Sequence, residues 1–322
     1  MKAVRIHQFG GPETLQLEDL ARPEPGPDEV LVRIDAASVN PVDYKIRNGG
    51  YLPEKNLPMT LGRDVAGVVD AAGADAGPYQ EGDAVYALLD RDHGGYAEYV
   101  VVKAQDCALM PERLDYVQAA AVPLAGLTAW QGLFDHGKLI AGQRVLIHGA
   151  AGGVGHLAVQ FARARGATVV ATCSAKDLDY VRGLGATEVL DYHIGRFEEQ
   201  IDPVDLVYDL VGGETQDRSW TALKDGGTMV STLTEPDKIK AEAKHARGVH
   251  YMAHSDGVQL AEIAKLIDAG EVTPTIARVF PLYDAAEAEG LLEAGHVRGK
   301  IVLDVAVADD RKQKAIEESV QT

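Results

Sequence analysis

The residues best placed to do chemistry fall in Val145-Leu146-Ile147-His148-Gly149-Ala150-Ala151-Gly152-Gly153-Val154-Gly155-His156-Leu157. An apolar run that reads as a buried strand passes straight into a glycine-rich turn, and a segment of helical period follows. Glycines at such a turn let the backbone approach a pyrophosphate closely, and the start of the helix offers unpaired N–H groups and the positive end of its dipole. Ala151, Gly152, Gly153 and Val154, at the tip of the turn, are the candidate phosphate contacts. Ala150 stands where the dinucleotide fingerprint has its first glycine, so the strand-turn-helix context carries the reading more than the motif does. The competing reading is a tight turn in an α/β protein that binds no nucleotide.

In proteins that bind NAD, an Asp or Glu about 20 residues further on, at the tip of the next strand, holds the ribose hydroxyls. Here that tip reads Thr172-Cys173-Ser174-Ala175-Lys176, with no acid. A hydroxyl and a cation suit a 2′-phosphate, so Ser174 and Lys176 favour NADPH, with Tyr192 after Val189-Leu190-Asp191 flanking the adenine ribose. Ser174 as a helix cap and Lys176 as a solvated charge form the plainer alternative. Asp177 and Asp179 read as acids in the first turns of the next helix, where they complement its dipole.

These residues need a scaffold, and the chain changes texture near residue 126. Up to about 125 it consists of short alternating runs, such as 29–35, 65–69 and 84–88, broken by Gly and Pro turns, which predicts a β-rich domain. Beyond 126, apolar strands at 144–148, 168–172, 205–209 and 227–231 alternate with helical segments, including an amphipathic helix at 259–269. That alternation predicts βαβ units and a parallel sheet running to about residue 270. Strand-like stretches at 277–282 and 299–305, around a helix at 283–294, return to the texture of the first domain, and the charged residues after 307 read as a solvated tail.

A net charge of −18 argues against a nucleic-acid partner, whose phosphates must be neutralised by Lys and Arg. No uncharged apolar run reaches the length of a membrane span, and the first residues alternate like a strand rather than a signal peptide. Two cysteines, Cys107 and Cys173, are too few for a disulfide framework or a four-cysteine zinc lobe, so a cytoplasmic setting is expected. The histidines, His93, His136, His148, His156, His245 and His250 among them, show no metal-ligand spacing and read as ordinary polar residues.

Taken in order, Ala37-Ser38-Val39-Asn40-Pro41-Val42-Asp43, Leu61-Gly62-Arg63-Asp64-Val65-Ala66-Gly67, Gly82-Asp83-Ala84-Val85, Gly94-Gly95-Tyr96-Ala97-Glu98-Tyr99, Leu127-Thr128-Ala129 and the glycine-rich turn resemble the medium-chain dehydrogenase/reductase superfamily over nearly the whole chain. The resemblance is to its quinone oxidoreductases, the group of zeta-crystallin, and to its alkenal/enone oxidoreductases. It implies an α/β fold with two parts: a GroES-like β-rich catalytic domain built from 1–125 and 271–322, and a Rossmann doubly wound parallel-sheet domain at 126–270 that binds NADP. It also implies a cofactor cleft at their junction and a homodimer or homotetramer. Zinc enzymes of the superfamily place Cys where Asn40 stands and Gly-His-Glu where Gly62-Arg63-Asp64 stands, and their third ligand falls near Leu124. No catalytic zinc is therefore expected.

The resemblance implies hydride delivery from NADPH to a quinone or an α,β-unsaturated carbonyl, whose conjugation stabilises the added electrons. It assigns Asn40 a place beside the nicotinamide ribose and substrate, Tyr51 the place of an active-site phenol, and Lys45 that of a lysine binding the carbonyl oxygen or cofactor. It also brings Thr128, Val211, Gly212, Thr232 and Leu233 towards the nicotinamide half. Plainer roles stand beside each: Asn40 as a turn former before Pro41, Tyr51 as a loop aromatic, Lys45 as a surface charge, and the others as packing and turn residues. An enoyl thioester reductase, or a non-catalytic NADPH-binding sensor or structural protein, are the alternative functions.

Overall fold

The computed structural model describes residues 1–306, so the charged tail expected beyond 307 lies outside the described residues. These divide into two units. The first comprises Met1–Leu124, Ser255–Asp268 and the residues from 274 on; the second comprises Ala125–His254 and Ala269–Thr273.

The first unit is organised by the strand Glu29–Val39, whose residues are buried on both faces over most of its length. Asp64–Ala72 pairs antiparallel along one side of it. On the other side Tyr99–Lys103 covers residues 29–33, and Lys300–Asp304 covers 36–39. Ala84–Leu88 and Cys107–Leu109 extend the sheet at one edge and Ile276–Pro281 at the other, so both ends of the chain contribute to one sheet. Val30, Val32, Ile34, Val69, Val85, Phe280, Ile301 and Leu303 share one core, to which the β-branched side chains suit the pleated surface. A smaller three-stranded sheet joins Gln16–Asp19, Lys2–Ile6 and Met59–Thr60.

The second unit holds a six-stranded parallel sheet in the order Glu188–Asp191, Thr168–Cys173, Arg144–Ile147, Val204–Asp209, Leu223–Ser231, Arg247–His250. The chain builds outward from Arg144–Ile147 in one direction, then crosses back and builds outward in the other. The order therefore reverses between Arg144–Ile147 and Val204–Asp209, the place where doubly wound sheets open a crevice at their carboxyl ends. The helix Gly155–Ala164 is buried almost throughout, as a helix covering the middle of such a sheet must be.

One element differs from the sequence reading. The amphipathic helix expected in the second domain, Gly257–Asp268, belongs with the first unit. Its Leu260, Ile263 and Ile267 are buried, and its Leu260 carbonyl accepts a 2.6 Å hydrogen bond from Tyr86. Periodicity showed that this helix has an apolar face but could not say which sheet that face covers. Residues 269–273 then return to the second unit, where Gln160 bonds both polar backbone groups of Thr273. Among the described residues no helix is long and apolar enough to cross a membrane.

Candidate active site and cofactor cradle

In the second unit the glycine-rich turn is shaped as its sequence predicts. Gly149 takes φ +67°, Gly152 N–H bonds back to its carbonyl at 3.0 Å, and the helix begins at Gly155. A Cβ on Gly155 would lie 2.2 Å from the Gly149 oxygen, so only glycine lets helix and strand meet this closely. A Cβ on Gly152 would meet only that same oxygen, at 3.3 Å, and otherwise point into open space. Ala151, Gly152, Gly153 and Val154 are all partly exposed here, as a cradle for a pyrophosphate requires.

Neighbouring strand ends carry the other expected cofactor residues. Val211 and Gly212 follow Val204–Asp209, and their N–H groups both donate to the buried Asp209 carboxylate, at 3.0 and 2.8 Å. Thr232 and Leu233 follow Leu223–Ser231; Val211 and Leu233 are exposed apolar side chains, available to a ligand. The Thr128 carbonyl accepts hydrogen bonds from the hydroxyls of Tyr208, at 2.9 Å, and of Tyr251. His148, the strand-end histidine, is wholly buried between Thr172 and Ser219 hydroxyls, each 2.8 Å away. Burial holds its imidazole down to about 4, so it is a neutral structural residue.

At the tip of Thr168–Cys173, where the sequence places the adenosine contacts, the side chains are engaged with one another. Ser174 donates its hydroxyl proton to Asp177 Oδ2, 2.7 Å away; Asp177 and Asp179 lie in the first helical turns after the strand, as expected, and Asp177 is buried there. Lys176 is exposed. Tyr192, also exposed, is tied to the same strand end by a 3.2 Å bond from its N–H to the Cys173 carbonyl. Burial, with Asp177 and Asp191 adding to it, pushes the Cys173 thiol up to about 11, which rules it out as a reactive thiolate.

The first unit gathers a buried polar cluster at the end of Glu29–Val39. Asp64 is fully buried and accepts from Ser38 Oγ at 2.5 Å, Asn40 Nδ2 at 2.8 Å and the Leu124 N–H at 2.6 Å. The Lys300 ammonium, also buried, lies 3.5 Å from Asp64 Oδ2 and donates to the Val39 carbonyl at 3.1 Å and to Asn40 Oδ1. Burial lowers the Lys300 pKa, and the charges of Asp64 and Asp43 oppose the shift. Asn40 is thus 2% exposed, with both ends of its amide engaged inside the protein.

Next to this cluster, Asp43 accepts from the Asn40 N–H at 2.7 Å and from Tyr96 at 3.1 Å. Burial raises its carboxyl to about 7 despite the Asn40 N–H, and Asp64 adds to the rise. Beyond Tyr96, Glu289 is raised to about 8 by burial and by Asp43, although the Arg47 guanidinium lies 3.3 Å away. Arg47 is itself shared with Glu293, at 2.6 Å. Several carboxyls dividing few cations out of water cannot all ionise, so the cluster retains protons near neutrality.

Lys45 is half-buried and Tyr51 exposed on the stretch of chain that follows Asn40. Lys45 is on the short helix Pro41–Arg47, and the Gly50 N–H returns to its carbonyl at 2.8 Å. Tyr51 follows at φ +69° and is 55% exposed, an unusual backbone conformation for a large side chain. Asp64, Lys300 and Asp43 were not singled out by their sequence context. Lys300 lies in the strand-like stretch 299–305, and nothing local reveals that it meets Asn40, 260 residues away.

Two sequence families match the chain: alcohol dehydrogenase GroES-like domain over residues 26–112, and zinc-binding dehydrogenase over 184–303. The mouse mitochondrial NAD(P)H oxidoreductase RTN4IP1 is 38% identical, with 87% of this chain aligned to 82% of the relative. The chloroplastic NADPH-dependent alkenal/one oxidoreductase of Arabidopsis thaliana is 35% identical over 94% of this chain and 79% of its own length. Among solved structures, the quinone oxidoreductase of Coxiella burnetii superposes with a TM-score of 0.88 at 39% identity, covering 95% of this chain and 99% of that one. With relatives of this identity matched along most of its length, the chain belongs to the medium-chain dehydrogenase/reductase family of oxidoreductases, in the branch of the quinone and alkenal/one oxidoreductases.

Proposed function

We propose that this protein is an NADPH-dependent reductase that transfers hydride to a quinone or an α,β-unsaturated carbonyl without a catalytic zinc. The observation that carries the zinc-free reading is Lys300. Its ammonium occupies the Asn40–Asp64 cluster, Asp64 already accepts from three donors, and Asn40 supplies an amide whose oxygen is taken. An ammonium, a saturated carboxylate and an engaged amide do not make a zinc donor set, and a divalent ion beside Lys300 would be repelled.

The shape of the glycine-rich turn supports a dinucleotide as its ligand. Its glycines would admit the backbone to a pyrophosphate, and the helix beginning at Gly155 would turn the positive end of its dipole towards it. When bound, NADPH supplies the hydride. The protein's share is to orient both partners and to stabilise the oxygen that gains charge. Tyr51 is suited to donate a hydrogen bond or proton to that oxygen, and Lys45 to neutralise it electrostatically. Asn40 acts as a positioning residue, since its amide is held between Asp64 and Lys300.

The test is NADPH and NADH oxidation, followed by absorbance, with 1,4-benzoquinone, 9,10-phenanthrenequinone, a short alkenal, a vinyl ketone and crotonyl-CoA, with and without a metal chelator. Chelator-insensitive turnover that prefers NADPH and a quinone or enone is the expected result. Cofactor binding without turnover of any acceptor would overturn the reading.

A further inference from the structure

We propose that His193 is a specificity-determining residue for the cofactor, supplying a cationic hydrogen-bond donor to the adenosine 2′-phosphate. The inference rests on the reading above for the identity of the cofactor. It starts from a shortage of donors at this end of the sheet. Ser174 has given its hydroxyl proton to Asp177, so towards a phosphate it can only accept. Asp177 and Asp191 both act electrostatically on Cys173, so two carboxylates flank these strand ends. A 2′-phosphate brought here needs cations to offset them; Arg182, which also acts on Cys173, is paired with Asp179, and Lys176 then faces both carboxylates.

His193 is built to provide one. Asp191, whose side chain is only 7% exposed, accepts from the His193 N–H and from its Nδ1, each at 3.0 Å. A carboxylate can only accept, so Nδ1 carries hydrogen and Nε2 is left for another partner. The imidazole itself is 62% exposed. Its ring lies 4.1 Å from that of Tyr192, tilted by 34°, and Tyr192 is bonded to the Cys173 carbonyl at the tip of the neighbouring strand. The two parallel strands are in register there, Cys173 opposite Asp191, so the Asp191-His193 pair stands beside the Ser174 tip.

Other charges around this turn are accounted for. Arg196, further along it, is paired with Glu198 and Glu199. On the neighbouring strand end and the helix after it stand Lys176, Asp177 and Arg182, the last bonded to Asp179.

The experiment measures equilibrium binding of NADPH and of NADH to the full chain by cofactor fluorescence, comparing wild type with His193→Gln and His193→Lys at about pH 6 and about pH 8, either side of the ordinary imidazole range. A charge-assisted hydrogen bond predicts that His193→Gln weakens NADPH binding about tenfold at the lower pH and leaves NADH within about twofold. His193→Lys retains NADPH affinity at both values. The 2′-phosphate gains charge over the same range, with a second pKa of about 6, so the histidine contribution is the difference between wild type and His193→Gln at each pH. An unchanged NADPH-to-NADH ratio in His193→Gln, or equal weakening of both cofactors, would overturn the assignment while leaving the reductase reading intact. Failure of the wild type to bind either cofactor would overturn both.

Discussion

Replacing Lys300 with Met removes the one ammonium from the Asn40–Asp64 cluster while nearly keeping its volume, so the effect is electrostatic rather than a cavity. Asp64 is fully buried and Lys300 lies 3.5 Å from its Oδ2. Breaking a buried pair by removing one partner costs about 3–5 kcal/mol, because an uncompensated charge stays in the interior. Asp64 would retain its bonds from Ser38, Asn40 and the Leu124 N–H, which places the expected cost at the lower end, about 3 kcal/mol. For a chain of this size that is a fall of about 4 °C in Tm by scanning calorimetry at neutral pH. The double variant Lys300→Met/Asp64→Asn removes both charges of the pair and should recover about 2 kcal/mol of the loss. A single variant within about 1 kcal/mol of wild type, or a double variant no more stable than the single, would show that the pair is not electrostatically coupled.

Asp43 and Glu289 should make stability fall as pH rises. Their folded values, about 7 and about 8, lie above the ordinary 3.8 and 4.5, so their contribution is complete below about pH 4 and is lost progressively up to pH 8. Denaturant titrations should show a slope on the order of 1 kcal/mol per pH unit between about pH 6 and 8, much flatter in Glu289→Gln; equal slopes would refute the burial argument. At the cradle, Gly155→Ala should lower Tm by several degrees, since its Cβ would lie 2.2 Å from a backbone oxygen. Gly152→Ala should leave Tm nearly unchanged and weaken NADPH binding at least about tenfold, because the new methyl intrudes on the pyrophosphate. Tyr51→Gly should relieve a left-handed conformation worth on the order of 1 kcal/mol, raising Tm slightly while lowering kcat with quinone or enone. A Tyr51→Gly variant with wild-type kcat would remove Tyr51 from the proposed chemistry.

What was legible in the sequence was local. The glycine-rich turn declares itself because strand, turn and helix are contiguous, and the alternating βα texture announces the parallel sheet. Gly149, Gly152 and Gly155 stand where the turn needs them. Features that depend on sequence-distant partners were not legible. Asn40 reads as a turn former or as a residue beside the nicotinamide ribose, yet its amide is taken by Asp64 and by Lys300 from the far end of the chain. Ser174 reads as a phosphate donor, yet Asp177 turns inward and takes its proton. Helix Gly257–Asp268 shows its apolar period but not its address. In each case a side chain's type could be read, but the direction it takes was settled by packing.

The pairing of Glu29–Val39 with Lys300–Asp304 also sets a timetable for synthesis. Residues 29–33 find Tyr99–Lys103 early, but residues 36–39 wait for a strand made after the whole parallel sheet. At about 5–20 residues per second, Lys300 leaves the ribosome roughly 10–50 s after Asp64. Throughout that interval the nascent first unit carries a half-open sheet edge and an acid without its cation, while residues 125–254 can already fold. A ribosome stalled before Lys300 would therefore hold a folded parallel sheet together with an unfinished, adhesive β unit, a species that chaperones would be expected to retain.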